Sequence, residues 1–475
     1  MEPQLAEAQK IRPVVLGAGV CGLYAAHTLA KNGLTPLVLE KEEVVGGLAA
    51  GRRQGENYYD FGVHHLHAHD REIFEELQSL LGPRLQSVEK SALIRYGKGF
   101  RRYPLQFMDI LKGIPPLELM ASVSGLAWQS LRNRFQKQEA ENAEQALIEL
   151  YGKPLYRHFF QDFTERYWGI PTTELSATFV RTKMPRLSAV DVLKKLMGRF
   201  GLKDQKDASV ESATLEETLY YPPTGARELS MSMAASVEKQ GGLVHLNTPV
   251  EAVEHQGGEV EAVVFTDSEG RSRRQECPFL LSTIPLPSLV QVLRPSAPDE
   301  VQHAARQLSF KGTAVYGYLV RKEKILDALF VYFRDRIFHR LAEPKLSGLQ
   351  VQPPGHTLLL AETTCDPGDD RWLGGAETRA RMVSDLEAEG LIQKEDIVET
   401  HVFVQEHAYP VFRLGFEPYL DTVQNWLGGI PNLRSVGRNG GFCYPNMHGA
   451  MRMGAEAAFE LSAMSRKGGV VEGHP

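Results

Sequence analysis

Residues 13–22 read PVVLGAGVCG, residues 23–33 LYAAHTLAKNG and residues 36–40 PLVLE. The apolar run at 13–16 predicts a buried strand, and 20–31 places apolar residues at helical spacing before a stop at Gly33. PLVLE predicts a second buried strand ending in an acid. Strand, glycine turn, helix and strand, with an acid about twenty residues on, is the dinucleotide fingerprint. Gly17 permits the tight turn, Gly19 lets backbone N–H groups approach a pyrophosphate, and Gly22 lets helix and strand pack closely. The positive end of the helix faces the phosphates. Glu40 can accept hydrogen bonds from ribose hydroxyls, and its charge repels a 2′-phosphate. A chance glycine turn is the bland alternative, and the flanking strands and terminal acid argue against it. At this point NAD and FAD both remain open.

Composition bounds the rest. At 475 residues the chain exceeds what one hydrophobic core usually serves, so two or three structural units are expected. A net charge of -6 gives no bulk attraction to nucleic acid or anionic membrane. The four cysteines (Cys21, Cys277, Cys365, Cys443) are far apart and form no C-x-x-C pair. They suit a reducing compartment and point to neither a zinc site nor a disulfide framework. The first ten residues lack the apolar core of a signal peptide, and no stretch approaches the roughly 20 apolar residues of a spanning helix. A cytoplasmic protein is expected.

Beyond Glu40 and Lys41 come Val45-Gly46-Gly47-Leu48 and then GRRQGENYYDFG. A glycine pair a few residues past the ribose acid resembles the extended FAD motif of the amine-oxidase and protoporphyrinogen-oxidase superfamily. The resemblance implies FAD rather than NAD, with Lys41, Gly46, Gly47, Leu48 and Gly62 beside the cofactor and the backbone at Val250 meeting the adenine. Residues 431–461, PNLRSVGRNGGFCYPNMHGAMRMGAEAAFEL, read as short strand, glycine loop and helix. Superfamily members close with such a unit. By that likeness Gly437 and Arg438 lie at the pyrophosphate, while Asn446, Met447 and His448 stand where helix N–H groups stabilise reduced flavin.

The implied fold is α/β: a discontinuous Rossmann-like FAD-binding domain of the GR2 type, a mixed-sheet substrate domain and a helical insertion. Residues 1–70, 216–300 and 426–465 are assigned to the FAD-binding domain, 71–215 to a helical, substrate-facing insertion, and 301–425 to the mixed-sheet substrate domain. Within the insertion EIFEELQSLLG, PLQFMDILKGI, LELMASVSGLAWQSLRNRF and DVLKKLMGRF carry apolar residues at i, i+3, i+4. The apolar segment at 117–135 reads as a buried helix, with peripheral membrane contact as the alternative. In the second FAD piece a helix is expected at 225–239 and a hairpin at 259–274. Alternating stretches at 313–321, 356–364 and 397–406 predict the mixed sheet.

Residues 60–69, DFGVHHLHAH, hold four histidines without metal-ligand spacing to cysteines or carboxylates, so no metal is expected. Asp60, Gly62 and His64 resemble the D-x-G-G-H of UDP-galactopyranose mutases, with Val63 replacing the second glycine. That resemblance makes His64 a flavin-face candidate and leaves the other histidines as surface or helix-start residues. It extends through IRYGKGFRRYPL at 94–105 and the Trp168-Gly169 segment at 151–186. There Arg181, Lys183 and Arg186 beside aromatics could clamp a diphosphate, with a solvated helix end as the alternative. Tyr409 and Tyr444 are further aromatic candidates.

Two activities follow from these likenesses. One is an FAD-dependent oxidoreductase passing hydride from a small-molecule substrate to flavin N5. The alternative is a flavin-dependent sugar isomerase like the mutases, working through a bond between reduced flavin N5 and the sugar of a nucleotide sugar or other glycan precursor. His64 and Arg181 are the catalytic candidates beside the flavin. A non-catalytic FAD-bound scaffold is the weakest reading. No nucleic-acid partner is expected, and the sequence does not specify an oligomeric state.

Overall fold

A computed structural model describes residues 11–96, 99–103, 139–183 and 218–467. Its centre is a five-stranded, wholly parallel sheet in the order Leu243–His245, Leu37–Leu39, Val14–Leu16, Leu280–Ser282, Leu433–Ser435. Three distant stretches of sequence thus supply neighbouring strands. Parallel sheets are covered on both faces, which is why these strands are unbroken apolar runs rather than alternating ones. Val15, Val38 and Leu281 point to one face, into a core shared with helices Val20–Lys31, Arg227–Lys239 and Met447–Lys467. Val14, Leu16, Leu37 and Leu280 point to the other, against helix Leu286–Val292 and a four-stranded sheet. That smaller sheet runs Ser272–Glu276, Glu259–Thr266, Val250–Gln256, Leu293–Arg294, and contains the expected hairpin.

A second large sheet has seven strands, in the order Ile397–Pro410, Phe310–Val320, Thr357–Cys365, Arg340–Ala342, Phe330–Tyr332, Ala92–Tyr96, Gly99–Arg102. All neighbours are antiparallel except Phe330–Tyr332 with Ala92–Tyr96, so the sheet is mixed.

Among the described residues the insertion is mostly helical, as its periodicity predicts, with three short strands near its start. EIFEELQSLLG does form helix Arg71–Leu81, capped by the Asp70 carboxylate accepting from Ile73 N–H at 3.2 Å and burying Ile73, Leu77 and Leu81. Yet Gln86–Glu89, Ala92–Tyr96 and Gly99–Arg102 follow as strands. Ala92–Tyr96 is an apolar run too short for a helix, and the edge offered by Phe330–Tyr332 decides its conformation. The helices expected within 104–135 and at 191–200 lie outside the described residues. Among the described residues, no helix is long and apolar enough to cross a membrane.

Candidate active site

The glycine turn is built as its spacing predicts. Gly17 has φ +94°, a left-handed conformation that favours glycine. At Gly22 a Cβ would lie 2.0 Å from the Gly17 carbonyl oxygen, so helix and turn meet there without room for a side chain. The helix beginning at Val20 has no side-chain cap and no acid in its first turn, leaving its N–H groups to a ligand. Gly46 N–H donates to Ala18 O at 2.8 Å, which brings the second glycine pair alongside the first. A Cβ on Gly19 would point at Gly47 Cα, 3.9 Å away, and one on Gly47 would lie 3.1 Å from Gly19 Cα. Side chains would fill this cradle.

Glu40 is buried and takes Ala18 N–H at 2.7 Å on one oxygen and Glu42 N–H at 3.0 Å on the other. Burial raises its pKa and these two backbone bonds oppose the rise. Each carboxylate oxygen keeps a second lone pair for a hydroxyl. Asn247 and Thr248, just before Val250, donate to the carbonyls of Glu42 and Glu40, which sets Val250 at the same end of the sheet. Donors, open cradle and acid together fit FAD. Lys41 stands apart: its side chain is 65% exposed and lies 4.0 Å from the Glu42 carboxylate.

A pocket opens where three pieces of chain meet. Leu48, Phe61 and His64 come from the N-terminal segment, and Arg438 from the closing segment. Thr313, Val315, Arg340, Glu362, Gln405, Ala408 and Tyr409 come from the seven-stranded sheet. Arg340 and Glu362, opposite each other on adjacent strands, form a two-pronged pair at 2.9 and 2.7 Å. Burial opposes the Arg340 charge, but Glu362 overrides this and holds it protonated. Arg438 lies over the Tyr409 ring, 5.7 Å from its centroid, and donates to Pro445 O at 3.1 Å. Expected at the pyrophosphate, Arg438 is thus found on the same pocket wall as His64. Gly437, by contrast, does return to the glycine turn, where its Cβ would sit 2.9 Å from Cys21 Sγ.

His64 Nδ1 lies 3.0 Å from Gly62 O, and since a carbonyl only accepts, Nδ1 carries the proton and Nε2 is an acceptor. Burial, then the charges of Arg340 and Arg438, lower its pKa from 6.5 to about 4. The imidazole is neutral near pH 7. Gly62 supports the same wall, since a Cβ there would lie 2.7 Å from Glu362 Oε1.

The other histidines divide. His65, expected at the surface, is buried with Nε2 2.7 Å from Ser347 Oγ, packed edge-on to Phe330. Rings from far along the chain, Tyr221 and Phe330, enclose it, which no local pattern in the histidine run announces. His67 and His69 stack at 5.3 Å and both meet His448. Even so, among the described residues no group of three or more His, Cys, Asp or Glu is arranged to hold a metal.

Arg181 is not brought to the pocket. It donates to Ala140 O at 3.0 Å and lies 4.0 Å from an exposed Glu139 carboxylate. Arg186 and the Lys183 side chain are outside the described residues. Asn446 is exposed, and its carbonyl accepts the Ala450 N–H at the start of the last helix, which begins at Met447. Reading the sequence missed Arg340 and Glu362. The signal was Glu362 itself, one carboxylate inside the apolar strand TLLLAETTC, which demands a buried cationic partner.

The chain matches the model of the family described as flavin containing amine oxidoreductase over residues 20–461, and it belongs to that family. It is an FAD-dependent enzyme, and the superfamily resemblance read from the glycine motifs holds. It is 24% identical to the probable UDP-galactopyranose mutase of Klebsiella pneumoniae over 175 residues, 35% of this chain and 44% of that one. It is 25% identical to the 15-cis-phytoene desaturase (chloroplastic/chromoplastic) of Arabidopsis thaliana over 283 residues, 55% of this chain and 46% of that one. The chain thus spans under half the length of these relatives. The crystal structure of reduced UDP-galactopyranose mutase has a similar fold, with TM-score 0.77 at 18% identity, covering 96% of this chain and 94% of that one.

Proposed function

We propose that the chain is an FAD-dependent oxidoreductase whose small-molecule substrate is neutral or anionic rather than a cationic amine. One observation carries the substrate class. Among the described residues the pocket wall carries two cations, Arg340 and Arg438, against one carboxylate, Glu362, which is paired with Arg340, so its net charge is positive. A cationic amine would meet like charge there, and a carboxylate, phosphate or hydroxyl-rich ring would meet donors.

In this reading Gly17, Gly19, Gly22, Gly46 and Gly47 form the pyrophosphate cradle, Glu40 takes the ribose, and Leu48, Gly62 and Met447 lie toward the flavin. The five-stranded parallel sheet is then a Rossmann-like GR2 unit assembled from residues 1–70, 216–300 and 426–465. Bound FAD supplies a hydride acceptor when oxidised and a nucleophilic nitrogen when reduced. Arg340, held by Glu362, orients an anionic group of the substrate, and Arg438 adds positive potential to the pocket. Neutral His64 offers Nε2 as an acceptor to a substrate hydroxyl. Free, separated cysteines accord with a cytoplasmic setting.

A second reading, a sugar isomerase like the mutases, is favoured by the fold similarity over nearly the whole chain and by His64 in D-x-G-x-H. One experiment separates them. The FAD-loaded enzyme is mixed without oxygen with alcohol, carboxylate and polyene donors, and separately reduced with dithionite and given UDP-galactofuranose. Flavin bleaching by a donor supports the oxidoreductase. Ring interconversion without net oxidation overturns it in favour of the isomerase.

A further inference from the structure

We infer that Asp60 is a positioning residue that fastens the turn carrying Gly62 and His64 to the start of helix Arg227–Lys239, and that its charge state sets the shape of that turn. The inference rests on reading the adjacent pocket as the flavin's.

The Asp60 side chain is 1% exposed, among the most deeply buried charges of the molecule. One oxygen accepts the Tyr221 hydroxyl at 2.5 Å and the Ala226 N–H at 3.0 Å. The other, Oδ1, is buried with no partner among the described residues, an arrangement native proteins rarely keep without use. Two glycines make room for that oxygen: a Cβ on Gly51 would come within 2.7 Å of it, and one on Gly225 within 2.5 Å. From Asp60 the path to the pocket is short. The Asp60 carbonyl accepts the Gly62 N–H at 2.8 Å, Gly62 abuts the Glu362 carboxylate, and the Gly62 carbonyl holds His64 Nδ1.

Burial pushes the Asp60 carboxyl up to about 6, while the bonds from Tyr221 and Ala226 and the charge of Arg227 pull the other way. Apart from the charge of Arg227, its ionisable neighbours are engaged elsewhere. Arg227 turns its guanidinium onto the Tyr58 ring, 4.1 Å from the centroid, and Glu228 is bound to Arg84 at 2.7 Å. His65 lies beyond Tyr221 at 5.1 Å between rings, and burial keeps it neutral. The acid therefore changes charge in a buried site whose donors among the described residues are Tyr221 O–H and one backbone N–H. Loss of the proton must be met by tightening those bonds, and the turn three residues away moves with them.

Two reporters test this between pH 5 and 7. In apo-protein the His64 ring resonances follow the turn without any flavin. In FAD-loaded protein the visible circular dichroism of the flavin follows the pocket. Both are expected to change with one midpoint near pH 6 in the wild type and to stay flat in Asp60→Asn. Tyr221→Phe removes a donor to the carboxylate and should move the midpoint up by about one pH unit. Tyr221→Phe carries the test should Asp60→Asn not fold. A wild type without the transition, a transition surviving in Asp60→Asn, or a midpoint that Tyr221→Phe leaves in place or lowers would overturn the inference. A titrating His64 signal beside a flat flavin signal would instead count against the flavin pocket assignment, leaving Asp60's hold on the turn supported.

Discussion

The glycine cradle and the pocket wall are built on different principles. The cradle is largely a local object: turn, helix and strand lie within residues 13–40, and Gly22 is required by an atom nearby in sequence, the Gly17 carbonyl. The pocket wall is a long-range object. His64 comes from the N-terminal segment, Arg340 and Glu362 from adjacent strands of the large sheet and Arg438 from the closing segment, and no local pattern specifies that they meet. Backbone geometry dominates the first region and buried charge the second. They should therefore fail differently.

The largest expected effect breaks the cradle. Gly22→Val drives a branched side chain onto the Gly17 carbonyl and should cost roughly 3 kcal/mol or more, with FAD uptake lost. Gly19→Val should abolish FAD uptake while the apo-protein stays folded, since nothing lies closer than 3.9 Å to a Cβ there. Thermal melts and FAD content separate these outcomes; equal loss of fold in both would mean that the gap is not a ligand cradle.

Next in size is the pocket wall. Glu362→Gln leaves Arg340 part-buried without its counter-ion and should cost about 2–3 kcal/mol, just under the range for a fully buried pair. FAD should remain bound, because the cradle is untouched. A variant with native stability would show that solvent already screens the pair.

The smallest effect concerns pH. The folded-state pKa of His64 is lowered from 6.5 to about 4 and that of His65 to about 3, in both cases first by burial. A lowered histidine disfavours its charged form, so its contribution is full above pH 6.5 and is lost as pH falls through the folded values. Asp60 acts in the opposite sense: its contribution is full below the unfolded value of 3.8 and is lost as pH rises through about 6. Urea unfolding at several pH values should show a shallower acid loss in His64→Asn than in the wild type. An unchanged slope would mean that His64 is solvated rather than enclosed.

Legibility follows the same division. Strand, helix and turn around Gly17 could be read because their periodicity and glycine spacing are complete within a few turns of chain. Ala92–Tyr96 could not, because its partner strand at 330–332 lies far along the chain and tertiary pairing overrides local propensity. Arg438 was found by its glycine context, but its side-chain contacts could not be read from it. Sequence locates the loop, and only packing against Tyr409 directs the guanidinium. Arg181 was drawn in by its aromatic neighbours in sequence, but in space it contacts Ala140 and Glu139.

The sequence by itself determined a dinucleotide turn, a likeness that selects FAD, and three separated segments that must converge on it. Those features rest on short-range sterics: a carbonyl that excludes a Cβ, a positive φ, a helix end that needs an anion. Only the tertiary structure decided which charges face the pocket and which are neutralised. An ion pair such as Arg340–Glu362 is defined by distance and burial, and neither is encoded in the spacing of two residues along a chain.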